Sequence, residues 1–544
     1  MRAAELFVRC LENEGVEYIF GIPGEENLDL MDALIDSPIR FITVRHEQGA
    51  AFMADVYGRL TGRPGVCLAT LGPGATNLIT GVADANMDRA PLVAIAGQGS
   101  THRMHKESHQ ILDLVNLFEP ISKYAVSVRE PEIIPEIVRK AFKVAKAERP
   151  GCSFIEFPEN IAAETVEDLA PLRIDDPRQP WPPEDKLEHA AALIAGAAYP
   201  LVLAGNGVIR AGAAEALRAF AEKLRIPVTM TFMAKGAIPR AHPMSLGTAG
   251  LSANDFIACG FGRADVVVCV GYDLVEYHPE RWHRDPAQAV IHVGQLPAEV
   301  DAHYGLEVGV VGDLGTALRG LAHRIPPRQT NWAASLSEAI IQENREYAED
   351  TAFPIKPQKI LWDLRQALDA DDILISDVGA HKMWVARMWQ AQAPNTCIIS
   401  NGFAAMGIGV PGAVAAKLVA PQRRVVTITG DAGFMMNSQE IETALRLGLA
   451  FVILIWNDGQ YGLIKWHQDR RFGRDTAIAF NNPDFVAYAE SFGARGFRVE
   501  SAEQLRPVLE EALDCGTVAV VDCRVDYTQN MKLTERLSAL VCPV

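Results

Sequence analysis

Short unbroken apolar runs recur along this chain, and each is followed by a stretch whose apolar positions return every three or four residues. Tyr18-Ile19-Phe20, Phe41-Ile42-Thr43-Val44, Val66-Cys67-Leu68-Ala69-Thr70 and Leu92-Val93-Ala94-Ile95-Ala96 form one set. Runs at 200–204, 227–231, 266–270 and 290–293 form a second, and Ile373–Ser376, Val425–Thr429 and Phe451–Trp456 belong to a third. A strand apolar on both faces belongs in a parallel sheet covered by helices on either side. The pattern predicts an α/β fold of three doubly wound parallel-sheet domains over 1–165, 185–325 and 355–530. Residues 166–184 are acidic and proline-rich (Pro171, Pro177, Pro180, Pro182, Pro183), the composition of a linker. A second break at Pro326-Pro327 leads into an expected exposed helix ending near residue 349, and Asn530–Val544 reads as a short tail or lid. The first and third blocks share size and pattern, which hints at a duplicated sheet.

Composition narrows the class. The chain has 544 residues, 49% of them hydrophobic and 22% charged, as in an ordinary globular enzyme. A net charge of −17 argues against nucleic-acid and anionic-membrane partners. Nine cysteines follow no C-x-x-C or zinc spacing, so reduced thiols in a cytoplasmic setting are expected. The N-terminus reads as an amphipathic helix and not as a signal peptide, and no apolar stretch is long enough to span a bilayer.

Candidate chemistry gathers at strand ends. Gly430-Asp431-Ala432 and Asn457-Asp458, separated by 24 residues, each follow an apolar run. Between them a helix is expected, with Asn437 as its cap, Glu440 completing a capping box and Gly448 as its stop. A right-handed crossover would bring both acids to one sheet edge, where two carboxylates suit Mg²⁺. The same spacing also fits two surface loop acids. Glu47, in Arg45-His46-Glu47-Gln48-Gly49, reads either as a helix N-terminal charge or as a partly buried acid. Gly72-Pro73-Gly74-Ala75-Thr76-Asn77 is a turn that lets backbone approach a ligand. His381 follows Ile373–Ser376, where a histidine can meet a phosphate or serve structure. Met406, between glycines, suggests contact with something flat. Gly205-Asn206-Gly207 lacks the third glycine of a dinucleotide loop and reads as a tight turn. His105 and His109 lack the partners of a metal site.

Together these motifs resemble the thiamine diphosphate-dependent enzymes over nearly the whole chain, and within them the acetolactate synthases. Gly271-Tyr272-Asp273-Leu274-Val275-Glu276-Tyr277-His278-Pro279, His109-Gln110 and Tyr488–Ala494 are similar to the catabolic, flavin-independent branch. The resemblance implies that pyruvate is decarboxylated on thiamine diphosphate and the two-carbon unit is joined to a second 2-keto acid, pyruvate or 2-ketobutyrate. A 2-keto acid decarboxylase or another carboligase is the alternative, and a paralogue without activity a third reading. It implies Mg²⁺ on Asp431, Asp458 and the Gln460 carbonyl. It implies the diphosphate on His381 and the backbone of Ala432 and Gly433, with Gly72 and Asn77 also at the cofactor. Met406 would bend the cofactor, the Ala404 carbonyl would accept from its 4′-amino group, and Glu47 would hydrogen-bond its pyrimidine ring. Gln110 would join Glu47 in catalysis, and Glu25, His109 and Trp466 would meet substrate. Gly271-Tyr272-Asp273 replaces the flavin-binding pattern of biosynthetic members, which argues against bound FAD. The family shares each cofactor between subunits, so a homodimer or homotetramer is expected. No residue pattern implies a regulatory subunit.

Overall fold

The computed structural model describes residues 1–167, 169–175, 179–250, 256–531 and 533. It contains three six-stranded, all-parallel sheets. The first comprises β1 (Tyr18–Gly21), β2 (Arg40–Thr43), β3 (Gly65–Ala69), β4 (Leu92–Gln98), β5 (Tyr124–Ser127) and β6 (Cys152–Pro158). The second comprises β7 (Pro200–Ala204), β8 (Val228–Met230), β9 (Ser245–Thr248), β10 (Val266–Val270), β11 (Ala289–Gly294) and β12 (Val308–Val311). The third comprises β13 (Ile373–Ser376), β14 (Cys397–Ile399), β15 (Val425–Gly430), β16 (Val452–Asn457), β17 (Arg495–Val499) and β18 (Ala519–Arg524). The central strands are apolar because helices cover both faces, and every residue of β4 is buried.

The outer sheets run in the orders β2-β1-β3-β4-β6-β5 and β14-β13-β15-β16-β18-β17. Strand for strand these are one topology. The central sheet differs, with the order β12-β11-β10-β7-β8-β9.

First and third domains share a continuous apolar core. At its centre the helix Glu47–Thr61 packs against the helix Gly409–Val419. The Gly409–Val419 helix is built of small residues here, among them Gly412, Ala413 and Ala416, all buried. A Cβ at Gly412 would lie 3.1 Å from Val56, so this position admits no larger side chain without movement. Arg59, on the same helix, sits among Asp55, Asp84 and Asp88 and donates to the Ile399 carbonyl at 3.0 Å. Buried charge is tolerable here because each partner is hydrogen-bonded.

Two local expectations need correction. The helix after β15 starts at Asp431 and runs to Asn437, and a second runs Glu440–Arg446. Asn437 and Glu440 form no capping box. Their side chains reach instead to Gly407, Gln48, Arg45 and His46, because tertiary partners outcompete the local cap. The helix after Pro327 spans Ala334–Arg345 and is not simply exposed, since Leu336 and Ile340 are buried against the central domain. The expected tail lies outside the described residues from 534 onward; Asn530 is buried and accepts from Trp384 Nε1 at 2.7 Å. Among the described residues, no two cysteines are joined in a disulfide. Among the described residues, no helix is long and apolar enough to cross a membrane.

Candidate functional site

The register of β15 on β16 pairs Gly430 with Trp456, so Asp431 and Asp458 leave the sheet side by side at its carboxyl edge. Asp431 is held from three directions. Its Oδ1 accepts from Ala432 N at 2.9 Å, and its Oδ2 accepts from Gly459 N and from Asn482 Nδ2, both at 2.7 Å. Burial raises its carboxyl above the ordinary range. Asp458 is pushed up to about 7, first by burial and then by the Asp431 carboxylate. Two acids that resist joint ionisation are what a divalent cation relieves. Gln460, on the turn beyond Asp458, lines with it a cavity of about 500 Å³.

His381 lies against this pair. It is 2% exposed, and burial lowers its pKa to about 3, so the ring is neutral. Its Nε2 has no hydrogen-bond partner among the described residues. A Cβ at Gly430 would sit 3.4 Å from the ring, so glycine keeps the approach open. An orphaned buried ring nitrogen beside a cation-ready acid pair fits a diphosphate carried with a metal ion. Gly433 is buried in the first turn after Asp431, and the Ala432 N–H is already engaged by Asp431.

The chain after β13 and β14 supplies a residue whose role the sequence did not disclose. Asp377 is fully enclosed and accepts from Val378 N (2.6 Å), Gly407 N (2.9 Å), Gly409 N (3.0 Å) and Thr429 Oγ1 (3.3 Å). It therefore pins the Met406 loop from below. From the first domain, Asp84 accepts from Ser400 Oγ at 2.7 Å and Ala405 N at 3.1 Å. Asp88 accepts from Asn401 N at 2.9 Å and also from Gly402 N. Between these anchors Ala404 adopts φ +59°, a left-handed conformation costly for a residue with a Cβ. Met406 is half-buried at the end of this held segment.

Glu47 opens its helix and is 8% exposed. Asn77 Nδ2 donates to its Oε2 at 2.9 Å, and Gly74 lies beside it. Gly72, at φ +50°, packs against Gln110, whose own φ is +57°. Glu47, Gly72, Asn77 and Gln110 thus gather at the ends of β2 and β3. His109 and His105 are exposed, and Glu25 is exposed while its neighbour Glu26 accepts from Thr70 Oγ1 at 2.8 Å. Trp466 is 7% exposed, packed in the core of the third domain, and lines the cavity that holds Asp458 and Gln460.

In the central domain the crevice between β7 and β10 is filled from within. Gly205 and Gly207 press against the Gly271 backbone, which makes the turn tight, as its sequence indicated. The buried Glu276 carboxylate accepts from Asn206 N at 2.9 Å and from Thr231 Oγ1. Burial raises it to about 7. It occupies the amide that a dinucleotide phosphate would use at this switch point.

Three family descriptions cover most of the chain. "Thiamine pyrophosphate enzyme, N-terminal TPP binding domain" matches residues 1–117, the central domain of the same enzymes matches 187–321, and the C-terminal TPP binding domain matches 377–523. The chain belongs to the thiamine pyrophosphate enzymes. Its full-length relatives include the acetolactate synthase of Bacillus subtilis (strain 168), 36% identical over 98% of this chain and 94% of that protein. The catabolic acetolactate synthase of Raoultella terrigena is also 36% identical, over 98% and 97% of the two chains. A probable acetolactate synthase large subunit of Methanocaldococcus jannaschii is 34% identical over 100% and 96%.

Proposed function

We propose that the protein is an acetolactate synthase, decarboxylating pyruvate and joining the two-carbon unit to a second 2-keto acid. What carries the reading is similarity to acetolactate synthases along the whole chain, across all three thiamine pyrophosphate domains. Bound thiamine diphosphate would supply the nucleophilic carbon and the electron sink for decarboxylation.

This chain's residues would do the rest. Asp431, Asp458 and the Gln460 carbonyl would hold Mg²⁺, and the raised carboxyl of Asp458 supports this because a cation cancels the repulsion that raises it. His381 Nε2 and the Gly433 amide would hold the diphosphate. Neutral His381 would donate a hydrogen bond there without adding charge. Glu47 would hold a proton at the pyrimidine ring nitrogen, oriented by Asn77. Asp377 and Asp84 would keep the Ala404 carbonyl aimed and Met406 pressed toward the cofactor, so that no reorganisation is needed during turnover. Gln110, seated on Gly72, would reach substrate. The minimum active unit would be a dimer: Phe403, Met435 and Met436, next to the Ala404 loop and on the Asp431 helix, present apolar surface for a second copy to cover. The central domain would carry no flavin, since Glu276 already satisfies the amide at its phosphate position.

A simple 2-keto acid decarboxylase is not favoured. The full-length relatives are acetolactate synthases, and that likeness along the whole chain outweighs the acid at Glu25 that suggested the alternative. The test is incubation of the purified protein with pyruvate, with and without 2-ketobutyrate, identifying products and recording a flavin absorbance spectrum. Acetolactate that requires thiamine diphosphate and Mg²⁺ is expected. Free acetaldehyde in excess of acetolactate, or turnover that survives removal of cofactor and metal, overturns the reading.

A further inference from the structure

We propose that Glu440 is a positioning residue for Glu47, gripping from the third domain the loop that aims the first domain's carboxylate. The inference rests on the role given to Glu47 above. Arg45 and His46 connect β2 to the helix that Glu47 opens, so their N–H groups precede the first helical turn and have no partner within it. Both donate to Glu440 Oε1, at 3.0 and 3.1 Å. Glu440 Oε2 accepts from Thr443 Oγ1 at 2.6 Å, which stops the carboxylate from turning. Glu440 is fully buried, and a Cβ at Gly49 would lie 2.8 Å from its Oε1. The absence of a side chain at position 49 is what admits it.

A second contact comes from the same chain segment. Asn437 Nδ2 donates to Gln48 Oε1 at 3.2 Å and to the Gly407 carbonyl at 3.0 Å. The residues before and after Glu47 are therefore both tied to the two helices that begin at Asp431. The first domain returns the grip, since Asp84 holds Ser400 and Ala405 on the connection that follows β14, the strand equivalent to β2. Each half of the molecule holds the other half's second connection with a buried carboxylate. Removing Glu440 would leave the two amides of this partly buried loop without their acceptor, and the loop would shift to find another. Proton transfer at a fixed ring nitrogen does not tolerate such a shift.

The test uses the holoenzyme with thiamine diphosphate and Mg²⁺, and measures hydrogen–deuterium exchange at C2 of the bound cofactor by quenched-flow NMR. Cofactor affinity is measured in parallel by fluorescence titration. Glu440→Ala is expected to slow exchange by about tenfold or more, because the two amides lose the acceptor that fixes the loop. Affinity should change by no more than about threefold, since the diphosphate contacts are untouched. Glu440→Gln keeps the accepting oxygen and should restore most of the rate. Thr443→Val frees the carboxylate to rotate and should slow exchange by a few-fold. Wild-type exchange in Glu440→Ala, or a loss that only follows loss of cofactor, overturns the positioning role. If Glu440→Ala does not fold, Thr443→Val decides, and wild-type exchange there overturns it. Glu47→Gln separates the two levels. An unchanged rate in that variant overturns the role of Glu47 itself, whereas a slowed Glu47→Gln beside an unaffected Glu440→Ala overturns only the role of Glu440.

Discussion

The first and third domains share a strand order and share little else at their strand ends. In the third, the connections after β13, β15 and β16 carry His381, Asp431 and Asp458, a set suited to a cation and the anion it brings. In the first, the connections after β2 and β3 carry Glu47, Asn77 and Gly72, with one buried carboxylate and no second acid against it. On the reading proposed above, the difference teaches that one scaffold would serve two tasks, holding charge in one domain and handling a proton in the other. It also locates the cost. The third domain keeps Asp431 and Asp458 close enough that Asp458 is pushed up to about 7, whereas Glu47 is stabilised by Asn77 and a helix N-terminus.

That division can be broken from either side. The largest effect should come from Asp431→Ala. It removes the proposed cation ligand and the acceptor for Gly459 and Asn482, so cofactor affinity should fall by more than the about 10–100-fold typical of outer-shell changes. Calorimetric titration of thiamine diphosphate with Mg²⁺ measures it. Glu47→Gln should leave that affinity nearly intact and lower kcat by about 10²–10⁴-fold, the range for loss of a positioned acid–base group. Steady-state kinetics at saturating cofactor separates the two variants, and a Glu47→Gln that fails to bind cofactor would dissolve the contrast between domains. Asp377→Asn comes next. Its amide cannot accept from Gly407, Gly409, Val378 and Thr429 together, and one unpaired buried N–H costs about 1–3 kcal/mol. A fall in kcat at saturating cofactor with a modest loss of thermal stability is expected.

The smallest effect is the pH dependence of metal binding. Asp458 has a raised pKa, so below about 7 it holds a proton that Mg²⁺ must displace. Mg²⁺ affinity should be full above that value and fall as pH drops, by up to about tenfold per unit for one displaced proton. The metal-free protein behaves oppositely. A carboxyl raised on folding contributes stability at low pH that is lost as pH rises through about 7. Added Mg²⁺ should therefore raise Tm more at pH 8 than at pH 6, as scanning calorimetry would record.

Much of this was legible in the chain. The buried strands announce themselves by apolar runs, and the acid pair, His381 and Glu47 all stand at the ends of such runs. Edge strands were missed for a physical reason. β5 is half-buried throughout and β17 alternates, so neither carries a continuous apolar run. The residues that hold the site were not legible either. Asp377 directly follows the Ile373–Ser376 run, but its partners at 407 and 409 are met only through the fold. Glu440 looked like half of a local cap because its true partners lie 394 and 395 residues earlier. Local spacing reveals the groups that face a ligand, and long-range hydrogen bonds decide what keeps them there.

Ala404 bears on how this protein would respond to laboratory selection. Its left-handed backbone is a standing strain of about 1 kcal/mol or more, which glycine would relieve. A screen that rewards heat resistance alone should therefore find Ala404→Gly attractive. The same change would slacken a segment stretched between two domains, so the hardier variant should be the slower one. Robustness and turnover are set against each other at a single methyl group.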